Sequence, residues 1–147
     1  MFHMRYATLE DKDFWFTLDK HLSEKEYRNK IMLNQCYIIE EDNKCIGVFR
    51  YNLFWDTIPF LNLIYIDWNY HRKGIGSKAM LYWEDEMRKS GYELVMTSTM
   101  VEEASQHFYR KLNYKDCGCL VKDIPPLVET MEMFMMKSLP LFTERII

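Results

Sequence analysis

Two of the chain's five glycines, Gly74 and Gly76, fall in the six residues Arg72-Lys73-Gly74-Ile75-Gly76-Ser77, between a predicted strand and a predicted helix. Glycine lets a backbone take unusual angles and lets a ligand approach the amides closely, while the free N–H groups and the dipole of a helix start favour an anion. Lys73 adds a point charge, so the chemistry this stretch suits is phosphate binding; a tight turn with close helix packing uses the same two glycines. The loop is not a Walker A motif, because no Gly-Lys-Ser/Thr follows at the required spacing, and it is too short for the G-x-G-x-x-G of dinucleotide folds. Tyr109, one of ten tyrosines, reads by residue type alone as a packed aromatic, although its phenol, with a reference pKa near 10, has a proton to give.

These residues need elements to hold them. His3 to Tyr6 reads as a short strand, and Thr8-Leu9-Glu10-Asp11 as the start of a first helix reaching about Lys20, with acids in its first turn. Ser23 to Glu26 forms a capping box for a second helix, with Leu22 and Tyr27 as a hydrophobic staple. Cys36–Glu41 and Cys45–Phe54 predict a hairpin around Glu41-Asp42-Asn43-Lys44. Residues 60–67 form a nearly continuous apolar run, as expected of a central strand buried on both faces, and the loop follows it directly. Ala79, Met80, Trp83 and Met87 recur at helical spacing, with Gly91 where a left-handed cap belongs. A strand over 92–99, a helix with Ala104, Ser105, Phe108, Tyr109 and Leu112 on one face, and strands over 114–121 and 130–137 around Pro125-Pro126 complete the chain. This order predicts an α/β fold on a mixed, mostly antiparallel central sheet flanked by helices, with a ligand at the carboxyl end of the central strand.

Residues 64–77, Ile-Tyr-Ile-Asp-Trp-Asn-Tyr-His-Arg-Lys-Gly-Ile-Gly-Ser, resemble motif A of the GNAT acetyltransferase superfamily, Gln/Arg-x-x-Gly-x-Gly/Ala preceded by a strand and opening a helix. Phe108-Tyr109-Arg110-Lys111-Leu112-Asn113-Tyr114 is similar to that family's motif B, a Phe-Tyr-x-Lys-Leu-Gly-Phe run, at the family's spacing. Three positions depart from the pattern: His71 stands for Gln/Arg, Asn113 for glycine, and Glu102 where many members have asparagine. Asparagine tolerates left-handed backbone angles.

The resemblance implies a GNAT-like acyl-CoA N-acyltransferase fold covering residues 1–147 as one domain, with acetyl-CoA as acyl donor and a primary amine as acceptor, joined by direct attack in a ternary complex. It also implies that the backbone of Ile64, Tyr65 and Ile66 pairs with the pantetheine arm, that amides of Arg72, Lys73, Gly74, Ile75, Gly76 and Ser77 hold the pyrophosphate, and that Tyr109 protonates the leaving thiolate. A strand amide near Ile66 would serve the oxyanion. A thioester is already activated, so alignment, oxyanion stabilisation and one proton suffice. An amine of lysine-like pKa arrives protonated. Leu61 and Leu63 offer no base, Thr97 and Thr99 are poor ones, and Asp67, Asp56, Glu102 and His107 also suit a solvated surface; a water-mediated route is the expectation. The aromatic group Phe54, Trp55 and Phe60, around Asp56 and Pro59, is read either as an acceptor border or as core. The alternative to an enzyme is a catalytically silent acyl-CoA-binding or regulatory module.

The bulk sequence sets the remaining bounds. With 147 residues, 48% hydrophobic, 28% charged and a net charge of −3, a soluble single domain is expected, and nucleic acid is disfavoured as a partner. No apolar run reaches the roughly 18 residues of a membrane span. Cys36, Cys45, Cys117 and Cys119 show no metal-ligand spacing, so no metal is expected and the thiols read as reduced, in a cytoplasmic protein. Cys117 and Cys119, on one strand face, read as buried small hydrophobes, and the alternating Met131, Met133 and Met135 as core or interface packing. The apolar tail from Leu139 suits either a homodimer contact or a fold-back onto its own domain.

Overall fold

The structure, a computed structural model, describes residues 1–140. In chain order its elements are β1 (Phe2–Tyr6), α1 (Lys12–Leu18), α2 (Glu24–Met32), β2 (Cys36–Glu41), β3 (Lys44–Phe54), β4 (Ile58–Ile66), α3 (Ile75–Lys89), β5 (Leu94–Met100), α4 (Ser105–Lys111), β6 (Lys115–Leu120), β7 (Asp123–Ile124), β8 (Leu127–Val128) and β9 (Glu132–Ser138). Single 3-10 turns cover Leu9–Asp11 and Trp68–Tyr70. The chain forms two compact units, Met1–Asn52 with Leu61–Asp85, and Leu53–Phe60 with the chain from Glu86 onward.

In the first unit β1, β2, β3 and β4 lie side by side in that order, with β1–β2 and β2–β3 antiparallel. The turn between β2 and β3 puts Asp42 and Asn43 at φ 50° and 66°, left-handed angles that these two residue types tolerate. Side chains then alternate between faces. Cys36, Ile38 and Val48 bury with Trp15 and Tyr27 from α1 and α2, while Tyr37, Phe49 and Tyr51 meet Tyr82 or Trp83 of α3 at ring distances of 5.2 to 6.2 Å. The strands buried on both faces are therefore β2 and β3. The apolar run at 60–67 does form a strand, but in β4 only Pro59 and Leu61 are buried, while Asn62 and Tyr65 are exposed. The buried faces of the first unit's helices are spent on β2 and β3, which leaves β4 with more apolar side chain than its core takes up; Leu63 alone packs partly against the α1–α2 cluster. Gly47 of β3 sits hard against β4, since a Cβ there would meet the Tyr65 carbonyl oxygen at 3.0 Å and Ile39 Cβ at 3.3 Å.

The N-terminal helical segment is shorter than its sequence suggests. Thr8 and Asp11 form a reciprocal capping box, but over a 3-10 turn, and α1 ends at Leu18 instead of about Lys20. Asp19 is the reason. Its backbone turns extended, and its fully buried carboxylate accepts from Trp15 Nε1 (3.1 Å), Arg50 Nε (2.8 Å) and the amides of His21 (3.0 Å) and Leu22 (3.2 Å). One carboxylate thus closes α1, shapes the α1–α2 connection and ties both to β3. Ser23 caps α2 by accepting from the Glu26 amide, as its spacing predicts, and the Tyr27 hydroxyl donates to the Thr8 carbonyl at 2.8 Å.

In the second unit β9 lies between β5 and β6, antiparallel to both. Gly91, at φ +95°, follows α3 as a left-handed cap, with the Tyr92 amide returning to the Met87 carbonyl at 3.1 Å. Asn113 is left-handed at φ 73° and ends α4 in the same way. Met133 and Met135 of β9 are buried and Met131 is 38% exposed. The two thiols of β6 are not buried as expected: Cys117 and Cys119 are exposed, because the whole strand is exposed and a register irregularity between Asp116 and Gly118 interrupts its alternation. The short β7–β8 hairpin around Pro125-Pro126 was not foreseen from the sequence. Leu139 is buried, with its amide on the Glu93 carbonyl at 2.8 Å; the rest of the apolar tail beyond Pro140 lies outside the described residues.

Burial pushes the Asp19 carboxyl up, but the Arg50 guanidinium, the His21 amide and the Trp15 indole together outweigh it and hold the pKa below the usual value. Asp19→Ala is expected to cost about 3–5 kcal/mol in denaturant unfolding, because it strands Arg50. Since the folded pKa lies below the unfolded value of about 3.9, the carboxylate's stabilisation is complete at pH 7 and is lost as acid protonates the folded form. The stability gap between wild type and Asp19→Asn therefore narrows as pH falls below that value; a gap that stays constant down to pH 3 contradicts this assignment.

Candidate functional site

The residues singled out between 64 and 77 form one continuous piece of the first unit. β4 delivers Ile64 and Ile66, both half-buried, and Tyr65, exposed. At its end the Asp67 amide donates to the Ile46 carbonyl at 2.7 Å, which holds the strand end against the start of β3. The Asp67 carboxylate then accepts from the Asn69 amide at 2.9 Å and caps the 3-10 turn. His71 closes that turn: its Nε2–H donates to the Ile66 carbonyl at 2.7 Å, and its ring lies 4.9 Å from that of Trp68. His71, at the position where the resemblance expects Gln or Arg, thus fixes the path between strand and loop.

After His71 the chain makes two left-handed steps, Arg72 at φ 63° and Gly74 at φ 74°. Arginine at such an angle costs roughly 1–2 kcal/mol, a strain that clusters at functional sites. At Gly74 a Cβ would meet nothing within 4 Å, so glycine is needed there for its angle and not to avoid a clash. α3 then begins, anchored by buried Ile75, and the Lys78 amide reaches back to the Gly74 carbonyl at 3.2 Å. The amides of Ile75, Gly76 and Ser77 precede the first helical carbonyl they could use. α1 and α2 carry acids in their first turns, Asp13 and Glu24 with Glu26, whereas α3, like α4, carries none.

Beside β4, Leu63 and Tyr65 line a cavity of about 220 Å³ with Thr17, Leu18, Lys20 and His21. The Asp19 carboxylate holds the far wall of this cavity in place. Sequence reasoning did not find this cavity, nor the roles of Asp19, Arg50 and His71. The only sequence signal for the first two was an acid and an arginine interrupting otherwise apolar, aromatic segments.

Tyr109 belongs to the second unit. Its side chain is 7% exposed, flanked by the rings of Phe108 at 5.2 Å and Tyr114 at 5.8 Å, and its hydroxyl is hydrogen-bonded to the side chain of Thr97. Burial pushes the phenol pKa up, against the Thr97 hydrogen bond, so the group holds its proton at neutral pH. The other candidate proton acceptors are engaged or open to solvent: Glu102 accepts from Thr130 Oγ1 at 2.9 Å, Asp67 caps its turn, and Asp56 sits exposed at a left-handed position between β3 and β4. Phe54, Trp55 and Phe60 form a chain of ring contacts that continues to Phe134, with Trp55 largely exposed. Among the described residues no group of three or more His, Cys, Asp or Glu is arranged to hold a metal, and no helix is long and apolar enough to cross a membrane.

Comparison with known proteins gives the same architecture. The chain is similar to the ribosomal-protein-S18-alanine N-acetyltransferase of Escherichia coli (16% identity, 96% of each chain covered, TM-score 0.78). It is similar also to Ard1 of Thermoplasma volcanium (12% identity, 95% of this chain and 98% of that one, TM-score 0.82). A third similar structure is a GNAT family acetyltransferase of Elizabethkingia anophelis with acetyl-CoA bound (14% identity, 94% and 98%, TM-score 0.75). These likenesses show the fold, a mixed α/β architecture with a mostly antiparallel central sheet flanked by helices. No curated protein matches. Residues 4–114, well over half of the chain and spanning β1 through the end of motif B, match the acetyltransferase (GNAT) family, and the chain accordingly belongs to the GNAT family.

Proposed function

We propose that this protein is an N-acetyltransferase that moves an acetyl group from acetyl-CoA to a primary amine, with residues 1–147 acting as one catalytic domain. The observation that carries the reading is the start of α3: three amides with no intrahelical acceptor and two left-handed residues at Arg72 and Gly74, directly after a strand whose last five residues are not buried. Such a helix start suits a pyrophosphate, and the family resemblance assigns the amide-bearing pantetheine arm to the backbone of Ile64, Tyr65 and Ile66. The E. anophelis relative, with acetyl-CoA bound, supports the choice of donor.

In this reading the ammonium acceptor first gives one proton to water, the neutral nitrogen attacks the thioester carbonyl carbon, the oxyanion collapses, and the carbon–sulfur bond breaks. Sulfur leaves as thiolate and takes the proton of the Tyr109 hydroxyl, while the nitrogen's second proton goes to water, which returns one to the phenolate. A phenol whose pKa is pushed up stays protonated until it is needed, and the Thr97 hydroxyl is placed to stabilise the phenolate left behind. The water route fits the engaged positions of Asp67 and Glu102.

Two measurements test this. Saturating acetyl-CoA or CoA should raise the thermal midpoint of the wild type, by an amount equivalent to about 2.7 kcal/mol at one hundred times Kd, and Gly74→Glu should remove the rise; no rise with either ligand sinks the reading. Tyr109→Phe should lower kcat by about 100-fold or more while CoA affinity stays unchanged. A wild type that binds CoA but acetylates no amine in a broad panel would instead mark a silent acyl-CoA-binding module.

A further inference from the structure

Several of the described cations of this acidic chain are neutralised by carboxylates. Arg5 pairs with Asp11 and Glu40, Lys12 and Arg28 with Glu24, Arg50 with Asp19, Arg110 with Asp116, and Lys122 with Glu129 and Glu132. Two lysines beside the α3 loop share one aromatic ring instead. Lys44, at the first position of β3, has its Nζ 6.0 Å from the centre of the Tyr70 ring, and Lys73, in the loop, has its Nζ 5.4 Å from the same ring. Neither ammonium has a carboxylate partner among the described residues.

The carboxylates nearest in sequence are already committed. Glu41 and Asp42 engage the Met1 ammonium, and Asp67 caps the 3-10 turn through the Asn69 amide. The arrangement is held by backbone, not by the lysines themselves: the Asp67 amide on the Ile46 carbonyl brings the start of β3 to the end of β4, and the Tyr70 amide on the Asp67 carbonyl at 2.9 Å sets the aromatic between the two elements. The ring offers each ammonium only about 0.5–1 kcal/mol of attraction at an exposed site. A doubly charged anion attracts an ammonium more strongly than a ring does.

Resting on the reading of the α3 loop as an acyl-CoA site, we infer that Lys44, Tyr70 and Lys73 form a subsite for the 3′-phosphate of CoA, separate from the amides that take the pyrophosphate. CoA carries a phosphomonoester on its ribose besides its diphosphate. A phosphomonoester is close to a dianion at neutral pH and is recognised well by lysine acting as a point charge. The loop amides of α3 account for one diphosphate, and the lysine pair supplies the second, outlying pocket of positive charge such a ligand requires. Lys44 is the informative member, because it lies outside the family's glycine-loop motif and its exposed side chain carries no packing role.

The test compares the affinities of CoA and 3′-dephospho-CoA by titration calorimetry for wild type, Lys44→Ala, Lys44→Glu and, as a remote surface control, Arg28→Ala. The wild type should bind CoA about 10-fold tighter than dephospho-CoA. Lys44→Ala should cut that ratio several-fold and Lys44→Glu should abolish it, both by weakening CoA and leaving dephospho-CoA nearly unchanged, whereas Arg28→Ala keeps the wild-type ratio. Added salt should narrow the wild-type ratio as the exposed charges are screened. A wild type that binds both ligands equally, or a ratio unmoved by Lys44→Glu, overturns the subsite while leaving the acyl-CoA reading intact. A wild type that binds neither ligand overturns both.

Discussion

A helix must find acceptors for its first amides, and the chain answers this requirement differently at its different helices. Ser23 accepts from the Glu26 amide at α2, and Thr8 does the same for the turn before α1. At α3, the longest helix described, the approach is a strained loop with no acid in the first turn, and the first three amides have no intrahelical acceptor. The surrounding structure holds that loop in place. β2 and β3 give α3 an aromatic bed of Tyr37, Phe49 and Tyr51, against which its Tyr82 and Trp83 pack, and Ile46 and His71 fix the end of β4 at the point where the loop departs.

Much of this was legible from residue spacing, because the devices involved are local. The left-handed cap at Gly91, the Ser23 cap, the β2–β3 turn and the buried stripe Ala79, Met80, Trp83 and Met87 all depend on neighbours within a few positions, and each stands where the pattern put it. Asn113 is the sharpest case. Its tolerance of left-handed angles was inferred from side-chain chemistry, and its φ of 73° ends α4 where the family pattern carries glycine.

What the pattern misjudged depended on partners far away in the chain. An apolar run does not reveal whether another element covers it, so β4 looked like a core strand although most of its outer residues are not buried. Cys117 and Cys119 looked like core for the same reason, and a register irregularity that no residue type announces left them at the surface. Asp19 and Arg50 are 31 positions apart, and nothing local in either segment says that the two will share a buried hydrogen bond and end a helix early. The candidate site divides in the same manner. The loop was read from its glycines, whereas the cavity wall built by Thr17, Leu18, Lys20 and His21 depends on that long-range pair.

Gly47 bears on how this sheet is able to diverge. The hydrogen in place of a side chain there admits the Tyr65 carbonyl to a spacing that a methyl group would contest, and the residue facing that carbonyl's strand lies 18 positions away on β3. A descendant sequence acquiring alanine or valine at this position would have to displace backbone, not merely a rotamer, and the displaced backbone is that of the strand segment running into the glycine loop. Drift at an inconspicuous buried glycine would therefore register as altered spacing along β4 before it registered as lost stability, so the tolerance of the whole lineage to change is set partly by an atom that is absent.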